Sequence, residues 1–229
     1  MNLSEKRIFF NDCAFNLSKD VYEPAEDTFL LAEHLVLNET DTVLDMGTGC
    51  GILGILAAKR ARKVVATDLN PQAVHCAKIN AEFNGVSEKM EFLAGDLFQP
   101  IKKTEKFDVL IFNAPYLPSQ NEEQETWIGR AWAGGPTGRR IIDRFLADAT
   151  HYLKRAGRVL LVQSTLSHVS KTINKLEEAG LWAKVIAKRK VAFETIVVIE
   201  AKRRSDAMVQ IGRPKHRLTK KDLPKITAA

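Results

Sequence analysis

The fold of this chain is decided by the stretch Val43-Leu44-Asp45-Met46-Gly47-Thr48-Gly49-Cys50-Gly51-Ile52-Leu53-Gly54. In it an apolar run ends at an acidic residue, three glycines follow at alternate positions, and an apolar pattern of helical period begins. This order predicts a buried parallel strand that turns sharply into a helix, whose first N–H groups face an open crevice. Glycines let the backbone bend and allow a ligand to lie against it. The stretch alone leaves two interpretations open, a ligand-binding loop and a βα turn that is merely tight.

The spacing of the glycines separates this loop from the loops that bind dinucleotides. They follow the pattern G-x-G-x-G, whereas the dinucleotide fingerprint is G-x-G-x-x-G, and Ile52 stands where its last glycine would be. Asp45 would repel a pyrophosphate but would attract an ammonium group. We therefore predict a ligand with a positively charged amino-acid end rather than NAD.

Length and composition limit the number of domains and the classes of protein to which this chain can belong. With 229 residues, of which 45% are hydrophobic, the chain can bury one sizeable core. The three cysteines show no C-x-x-C spacing and the five histidines are scattered singly, so we expect neither a disulfide framework nor a metal site. No signal peptide opens the sequence and no apolar run is long enough to cross a bilayer. We expect a soluble, cytoplasmic protein without a membrane partner.

The net charge of +6 is concentrated at one end of the chain. Residues 1–200 contain 25 basic and 26 acidic side chains, whereas residues 201–229 contain 9 basic and 2 acidic ones. The segment 201–229 is therefore predicted to be a basic, flexible tail. If this tail has a partner, acidic RNA or a ribosomal surface is the natural one for a weak contact.

The hydrophobic pattern predicts an α/β domain at 20–200, preceded by an N-terminal arm at 1–19 that is either a short hairpin or irregular. Apolar runs typical of buried strands alternate with segments of helical period, and the last two strands pair as an antiparallel hairpin. After the strand that leads into the glycine loop, the predicted strands are 63–67, 90–93, 107–112, 157–163, 182–191 and 195–200. This arrangement predicts a doubly wound, seven-stranded, mostly parallel sheet.

Polar residues follow four of the predicted strands, namely Asp45, Asp68, Asp96 and Asn113. Ligands of such sheets bind outside the carboxyl ends of the strands, so these residues are candidates for a binding site. Asp68 has two interpretations, as the acceptor for the ribose hydroxyls of an adenosine and as the N-cap of the helix that begins near Pro71. Both are compatible, because a carboxylate has several acceptor positions.

Together these features resemble the class I S-adenosylmethionine-dependent methyltransferases over about residues 20–200. Three further stretches narrow the resemblance: Tyr22-Glu23-Pro24-Ala25-Glu26-Asp27-Thr28, Asn113-Ala114-Pro115-Tyr116, and Ala131-Trp132-Ala133-Gly134-Gly135 with Gly138 and Ile142-Asp143-Arg144-Phe145. They are similar to the HemK-type N5-glutamine methyltransferases, and specifically to the eukaryotic and archaeal branch that modifies class I translation release factors.

The resemblance implies that the cofactor is S-adenosylmethionine. Its amino-acid end would meet Thr28, Asp45 and Gly47, in the loop that also contains Gly49. Asp68 would bind the ribose, and Asp96 with Leu97 would meet the adenine. The implied cofactor-binding residues are thus Thr28, Asp45, Gly47, Gly49, Asp68, Asp96, Leu97 and Asn113.

The implied catalytic residues are Asn113, Ala114, Pro115 and Tyr116. The lone pair of an amide nitrogen is delocalised, so the nitrogen is a poor nucleophile that needs alignment. The side-chain oxygen of Asn113 and the backbone C=O of Ala114 can accept both amide hydrogens and favour charge that builds on the nitrogen. Ala114 departs from the family's N-P-P-Y, so we expect a less rigid site that keeps its acceptor. The alternative is an ordinary proline turn after a strand.

An insertion occupies 117–138, and the segment 127–140 has two interpretations, a packed surface loop and a lid over the substrate. As a lid, Arg139 or Arg140 would touch a peptide backbone or an acid. The resemblance favours the lid.

Three functions remain open at this point. The resemblance favours methylation of the glutamine in the Gly-Gly-Gln loop of a release factor, and the near-neutral body of the chain agrees with a protein substrate. The alternatives are methylation of an exocyclic base amine in RNA or DNA, and a non-catalytic subunit. The branch also implies a heterodimer with a small zinc-binding activator, which would pair with the third strand at the sheet edge.

Overall fold

A central sheet of seven strands carries the candidate site, as seen in a computed structural model whose described residues are 6–120 and 125–203. The strands in the described part are β1 (Arg7–Phe10), β2 (Cys13–Asn16), β3 (Thr42–Met46), β4 (Lys63–Asp68), β5 (Met90–Ala94), β6 (Phe107–Asn113), β7 (Leu153–Ser164), β8 (Leu181–Lys190) and β9 (Thr195–Arg203). The helices there are α1 (Glu26–Glu33), α2 (Ile52–Ala58), α3 (Pro71–Phe83), α4 (Trp127–Trp132), α5 (Arg140–Ala149) and α6 (Val169–Glu178).

The strand order in this sheet is β5-β4-β3-β6-β7-β9-β8. The first five of these strands are parallel to one another, and β9 is antiparallel to both β7 and β8. The predicted doubly wound, seven-stranded sheet with a C-terminal antiparallel hairpin is confirmed. The third strand of the predicted domain, β5, lies at one edge, as expected.

The candidate site follows from the position of β3 in the middle of the sheet. The chain moves from β3 outward to β4 and β5, and then returns to the other side of β3 as β6. Two loops therefore leave neighbouring strands in opposite directions, which opens a crevice at the carboxyl ends of β3 and β6. The register pairs Met46 with Phe112, so the glycine loop and Asn113 begin side by side.

Strand β6 shows why the centre of the sheet is rigid. Its residues 109–112 are apolar and at most 2% exposed, because helices cover both faces of the sheet there. The polar residues at its two ends, Asp108 and Asn113, are the only ones in the strand that are partly accessible. The strand thus fixes the position of its terminal residue, Asn113, relative to the core.

The N-terminal arm is a β1–β2 hairpin that docks on α3 through side-chain amides. Asn80 accepts from the backbone N–H of Asn16 (2.9 Å), and Asn84 accepts from that of Ala14 (3.1 Å). The amide of Asn80 also donates to the backbone oxygen of Cys50 in the glycine loop (2.8 Å). Helix α3 therefore fixes the arm and the glycine loop relative to each other.

The first three residues of the predicted tail belong to the sheet, because β9 continues to Arg203 and the domain was expected to end at residue 200. The rest of the predicted tail, 204–229, lies outside the described residues. Within 6–120 and 125–203, no helix has the length and apolar character needed to span a membrane. The same residues contain no group of three or more His, Cys, Asp or Glu side chains that could hold a metal ion.

Candidate active site

The glycine loop turns through left-handed backbone conformations that only glycine adopts easily. The φ angles of Gly47, Gly49 and Gly51 are 67°, 58° and 92°. A Cβ at Gly51 would lie 3.0 Å from the backbone of Ala77 in α3, so this glycine permits helix packing. A Cβ at Gly49 would meet nothing within 4 Å, so this glycine faces open space beside the chain.

Asp68 closes the loop at the end of β4. One of its carboxylate oxygens accepts from the backbone N–H of Gly49 (2.9 Å) and the other from that of Asn70 (2.8 Å). Burial raises the pKa of Asp68 above its usual value, although these N–H groups oppose the shift. The N-cap of α3 is Asn70, which accepts from the backbone N–H of Gln72 (2.9 Å). The interpretation of Asp68 as that N-cap is therefore wrong.

Asp45, in β3, lies beneath the glycine loop. Its side chain is fully buried, one oxygen accepts from the Thr48 hydroxyl (2.6 Å), and the other has no partner among the described residues. Burial raises the pKa of Asp45 to about 7. The expected direct contact with an ammonium group does not match this burial, since Thr48 and not Asp45 reaches the cavity surface.

A cavity of about 520 Å³ opens above the carboxyl ends of β3, β4 and β6. Its volume lies in the range of small-molecule sites. Apart from Asp45, every predicted site residue lines it: Thr28, Gly47, Gly49, Asp68, Asp96, Leu97, Asn113, Ala114, Pro115 and Tyr116. The four strand ends and the two sequence motifs therefore converge on one cavity.

The side of the cavity near β5 is shaped by Asp96 and Leu97. The φ angle of Leu97 is 48°. Residues with a side chain seldom adopt this left-handed conformation, asparagine being the commonest exception, so the turn at Leu97 is constrained. One oxygen of Asp96 accepts from Arg144 of α5 at 2.6 Å. This ion pair ties α5 to the wall of the cavity.

Asn113 lines the cavity, and its side-chain amide is bonded to α1. Its Nδ2 donates to the hydroxyl of Thr28 (3.0 Å), and its Oδ1 is buried without a partner among residues 6–120 and 125–203. An unpaired buried acceptor is costly, so a site that keeps one is ready for a donor from a ligand. Ala114 is buried beside it, with 3% of its surface exposed.

Tyr116 is held by a residue that the sequence had not indicated. Its hydroxyl donates to Asp27 (3.2 Å), and the hydroxyl of Tyr22 donates to the same carboxylate (3.2 Å). Burial, and next the charge of Asp27, raise the pKa of both tyrosines. Asp27 and Tyr22 belong to the motif at 22–28, where only Thr28 had been given a role. The acids in the first turn of α1 were the available signal.

The insertion folds back along the segment that follows Tyr116. The backbone N–H of Leu117 donates to Trp132 (3.0 Å), and the N–H of Gly134 donates to Leu117 (2.8 Å). A Cβ at Gly138 would lie 2.1 Å from the backbone oxygen of Tyr116. The loop after α4 is therefore packed directly against the Asn113–Tyr116 motif.

Arg139 and Arg140 have different environments, which corrects the expectation that either could reach a substrate. Arg139 is 2% exposed and donates to the backbone oxygens of Ser167 (2.6 Å) and His168 (3.0 Å), so it is an anchor inside the protein. Arg140 lines the cavity, together with α4 residues Trp127, Arg130 and Trp132. Of the two arginines, only Arg140 can meet a ligand.

Known proteins are similar in sequence to this chain over most of its length. A Methanocaldococcus jannaschii protein provisionally named as a protein N5-glutamine methyltransferase is 44% identical over 187 residues, which are 81% of this chain and 93% of that protein. Human methyltransferase HEMK2 is 32% identical over 192 residues, 79% of this chain and 89% of its own length.

A solved structure agrees with these relatives. It is that of the E. cuniculi Mtq2–Trm112 complex, described as responsible for methylation of the translation termination factor eRF1. The match has 28% identity and a TM-score of 0.64, and it covers 81% of this chain and 99% of that one. Residues 23–192 also match the family described as Methyltransferase small domain. The chain belongs to the Methyltransferase small domain family.

Proposed function

We propose that this protein uses S-adenosylmethionine to methylate the side-chain amide of the glutamine in the Gly-Gly-Gln loop of a class I translation release factor. The observation that carries the proposal is the unpaired, buried Oδ1 of Asn113, a residue that lines the cavity. The names of the relatives support the same substrate class. A cytoplasmic location fits a substrate of the translation machinery.

The residues of the cavity fit S-adenosylmethionine. Gly49 leaves open space where any side chain would intrude, which suits a ligand lying against the loop. Asp68 lines the cavity and has acceptor positions beyond the two N–H groups that it binds, so it can receive ribose hydroxyls. We assign the adenine to Asp96 and Leu97, and the amino-acid end to Thr28 and Gly47. Asp45 would contribute to binding the amino-acid end only indirectly, by accepting the hydrogen bond of the Thr48 hydroxyl and so holding Thr48 at the cavity surface.

The chain aligns and desolvates the reacting amide. S-adenosylmethionine, held by the cavity residues named above, would supply a methyl group to the amide nitrogen and leave as S-adenosylhomocysteine, and the proton displaced from the nitrogen would pass to water. Asn113 Oδ1 and the backbone oxygen of Ala114 accept the two amide N–H groups, which aims the nitrogen and favours charge on it. Tyr116 packs against the planar amide. Pro115 keeps the backbone of Ala114 extended.

We also propose a small zinc-binding activator as a partner at the β5 edge. Strand β5 is an edge of the sheet, and its side chains Met90, Phe92 and Leu93 are only partly buried. A strand from a partner would pair with this edge and cover these apolar groups. The solved complex of Mtq2 with Trm112 supports a partner of this kind. Full activity of the isolated chain at low concentration would refute the heterodimer.

A methyl-transfer assay tests the function. The purified protein, with and without the activator, is incubated with tritiated S-adenosylmethionine and either an archaeal-type release factor or bulk RNA. We expect label on the release factor, lost when the glutamine of its Gly-Gly-Gln loop is changed to alanine. Asn113→Ala should lower the rate by about 100-fold or more, since it removes an acceptor from the site.

Two results would refute the glutamine assignment. Label on RNA alone would move the function to base methylation and would make the basic tail the first segment to delete. Binding of S-adenosylmethionine without any transfer would indicate a non-catalytic subunit.

A further inference from the structure

Asp27 is a buried carboxylate whose partners in the structure are all neutral donors. It is 5% exposed and accepts from the hydroxyls of Tyr22 and Tyr116 and from both the backbone N–H (2.6 Å) and the hydroxyl (3.1 Å) of Thr28. Burying a carboxylate among neutral groups costs free energy unless several hydrogen bonds compensate for lost water. Four donors converge on this one side chain.

Helix capping explains only part of this arrangement. Asp27 lies in the first turn of α1, where a negative charge is favourable, and its bond to the N–H of Thr28 belongs to that role. Capping does not require two tyrosine hydroxyls, or a contact with Tyr116 that spans 89 positions in sequence. The remaining bonds connect α1 to the Asn113–Tyr116 motif.

The hydrogen bonds through Thr28 have a fixed direction. A carboxylate has no proton to give, so the hydroxyl of Thr28 must donate to Asp27. That hydroxyl then has only acceptor positions left, and it receives the Nδ2 of Asn113 (3.0 Å). The amide of Asn113 is thereby oriented with its NH₂ toward α1, which leaves its Oδ1 as a buried acceptor without a partner among the described residues.

We propose that Asp27 is a positioning residue, whose carboxylate sets the direction of the Asp27–Thr28–Asn113 hydrogen bonds and so presents the Asn113 oxygen to the substrate. A second branch holds the ring of Tyr116 through its hydroxyl. This inference rests on the proposed methylation of an amide, because only an N–H donor in the substrate needs an acceptor at this point.

The raised pKa values of the two tyrosines agree with this arrangement. Burial, and next the charge of Asp27, keep the hydroxyls of Tyr22 and Tyr116 protonated, so both remain donors to the carboxylate. If residue 27 were an amide, it would offer one oxygen and one NH₂ group to four donors. Its oxygen would stay where one carboxylate oxygen now accepts both Thr28 groups, and its NH₂ would replace the oxygen that accepts from the hydroxyl of Tyr116. The tyrosine hydroxyls would lose their charged acceptor, and the ring of Tyr116 would no longer be held in place.

The test compares Asp27→Asn with a matched control, Asp108→Asn. Asp108 also accepts from the backbone N–H (2.7 Å) and hydroxyl (2.8 Å) of one threonine, Thr42, but at the opposite end of the sheet. We expect Asp27→Asn to lower kcat for methylation of the release factor by about 100-fold, with the affinity for S-adenosylmethionine changed less than about threefold. Asp108→Asn should keep both values near those of the wild type.

Two variants of Thr28 test the hydrogen bonds that connect Asp27, Thr28 and Asn113. Thr28→Val removes the hydroxyl and should lower kcat about as much as Asp27→Asn, whereas Thr28→Ser keeps the hydroxyl and should recover most of the loss. If Asp27→Asn retained kcat as Asp108→Asn is expected to, or lost it only in proportion to a loss of thermal stability, the proposal would be overturned.

A readout without catalysis separates this inference from the proposed function. In ¹H–¹⁵N spectra of the wild type, the Nδ2 protons of Asn113 should be protected from exchange, because one of them is bonded to Thr28. Thr28→Val should abolish that protection. An active wild type with unprotected Asn113 protons refutes the positioning role alone, whereas protected protons in a protein that methylates no amide refute the proposed function alone.

Discussion

The two sides of the cavity are built in different ways. The side that we propose for the cofactor, the cofactor side, consists of the glycine loop at 47–51 with Asp68 and Asp96, which are supplied by strands that are neighbours in both sequence and space. The side that we propose for the substrate, the substrate side, consists of the Asn113–Tyr116 motif, and it is held by residues far away in sequence: Thr28 lies 85 positions from Asn113, and Asp27 lies 89 from Tyr116. The loop at 132–139 packs beneath the motif.

This difference indicates which side tolerates change. The turns of the cofactor side are fixed by glycine conformations and by the parallel register of β3 and β4. The substrate side depends on contacts from α1, from the loop and from α6, and each of them can be removed separately. We therefore expect single substitutions on the substrate side to uncouple catalysis from cofactor binding.

The largest effect is expected for Gly138→Ala. The φ of Gly138 is 68°, and its new Cβ would lie 2.1 Å from the backbone oxygen of Tyr116 and 3.0 Å from the side chain of Ser167. One of the two backbones must move, and a displacement of about 1 Å in the motif can cost about 100-fold in rate. We expect kcat to fall at least that far in the methyl-transfer assay.

Gly85→Ala is the matched control for that substitution. Gly85 has nearly the same φ, 67°, but a Cβ there would meet nothing within 4 Å. Only the conformational cost remains, about 1 kcal/mol of unfolding free energy. Equal loss of activity in both variants would show that backbone strain, and not contact with Tyr116, controls the rate.

The second largest effect is expected for Arg139→Met. This substitution removes the anchor of the loop at 132–139 and leaves the glycine loop at 47–51 intact. Arg139 donates to the backbone oxygens of Ser167 and His168 and is paired with Asp143 (2.7 Å). Removing Arg139 leaves the backbone oxygens of Ser167 and His168 without this donor, which costs about 2 kcal/mol. Urea unfolding should report that loss, and kcat should fall while the affinity for S-adenosylmethionine is retained.

Arg189→Met provides the comparison at the surface. Arg189 pairs with Glu26 and Glu33, both at 2.8 Å, but the two glutamates are largely exposed. Its loss should cost less than about 1 kcal/mol. A loss as large as that of Arg139→Met would contradict the view that burial makes Arg139 the anchor.

The same contrast explains what the sequence could predict. Gly47 and Asp68 were recognised because their signals are local, a glycine spacing and an acid after an apolar run. The bonds from Asp27 to Tyr116 carry no local signal, since acids in a first helical turn are common and the partner is 89 positions away. Arg139 and Arg140 are adjacent, and only the packing of α6 decides that the first is buried. Asp45 was expected at the end of the strand that leads into the glycine loop, and β3 places it there, but the sequence did not reveal that its side chain lies under the loop.

The smallest effect on activity is expected on the cofactor side, where the measured change is in how stability depends on pH. Burial raises the pKa of Asp45 from its ordinary 3.8 to about 7. Between these values the unfolded chain has released the proton that the folded protein still holds. Raising the pH therefore favours unfolding, and the contribution of Asp45 to stability declines from about pH 4 to about pH 7.

Asp45→Asn should remove this decline, because an amide does not titrate. The difference in unfolding free energy between the variant and the wild type should grow in favour of the variant as the pH rises to about 7, by at most about 1.4 kcal/mol per pH unit. Asp108→Asn should behave oppositely. Burial alone would raise the pKa of Asp108, but the bonds from Lys154 and Thr42 outweigh it and lower that pKa, so the wild-type carboxylate stabilises the fold more as the pH rises. A parallel response of the two variants in urea unfolding at several pH values would mean that Asp45 keeps its charge beneath the loop. The cofactor side would then contain a buried carboxylate available to an ammonium group, as the sequence had suggested.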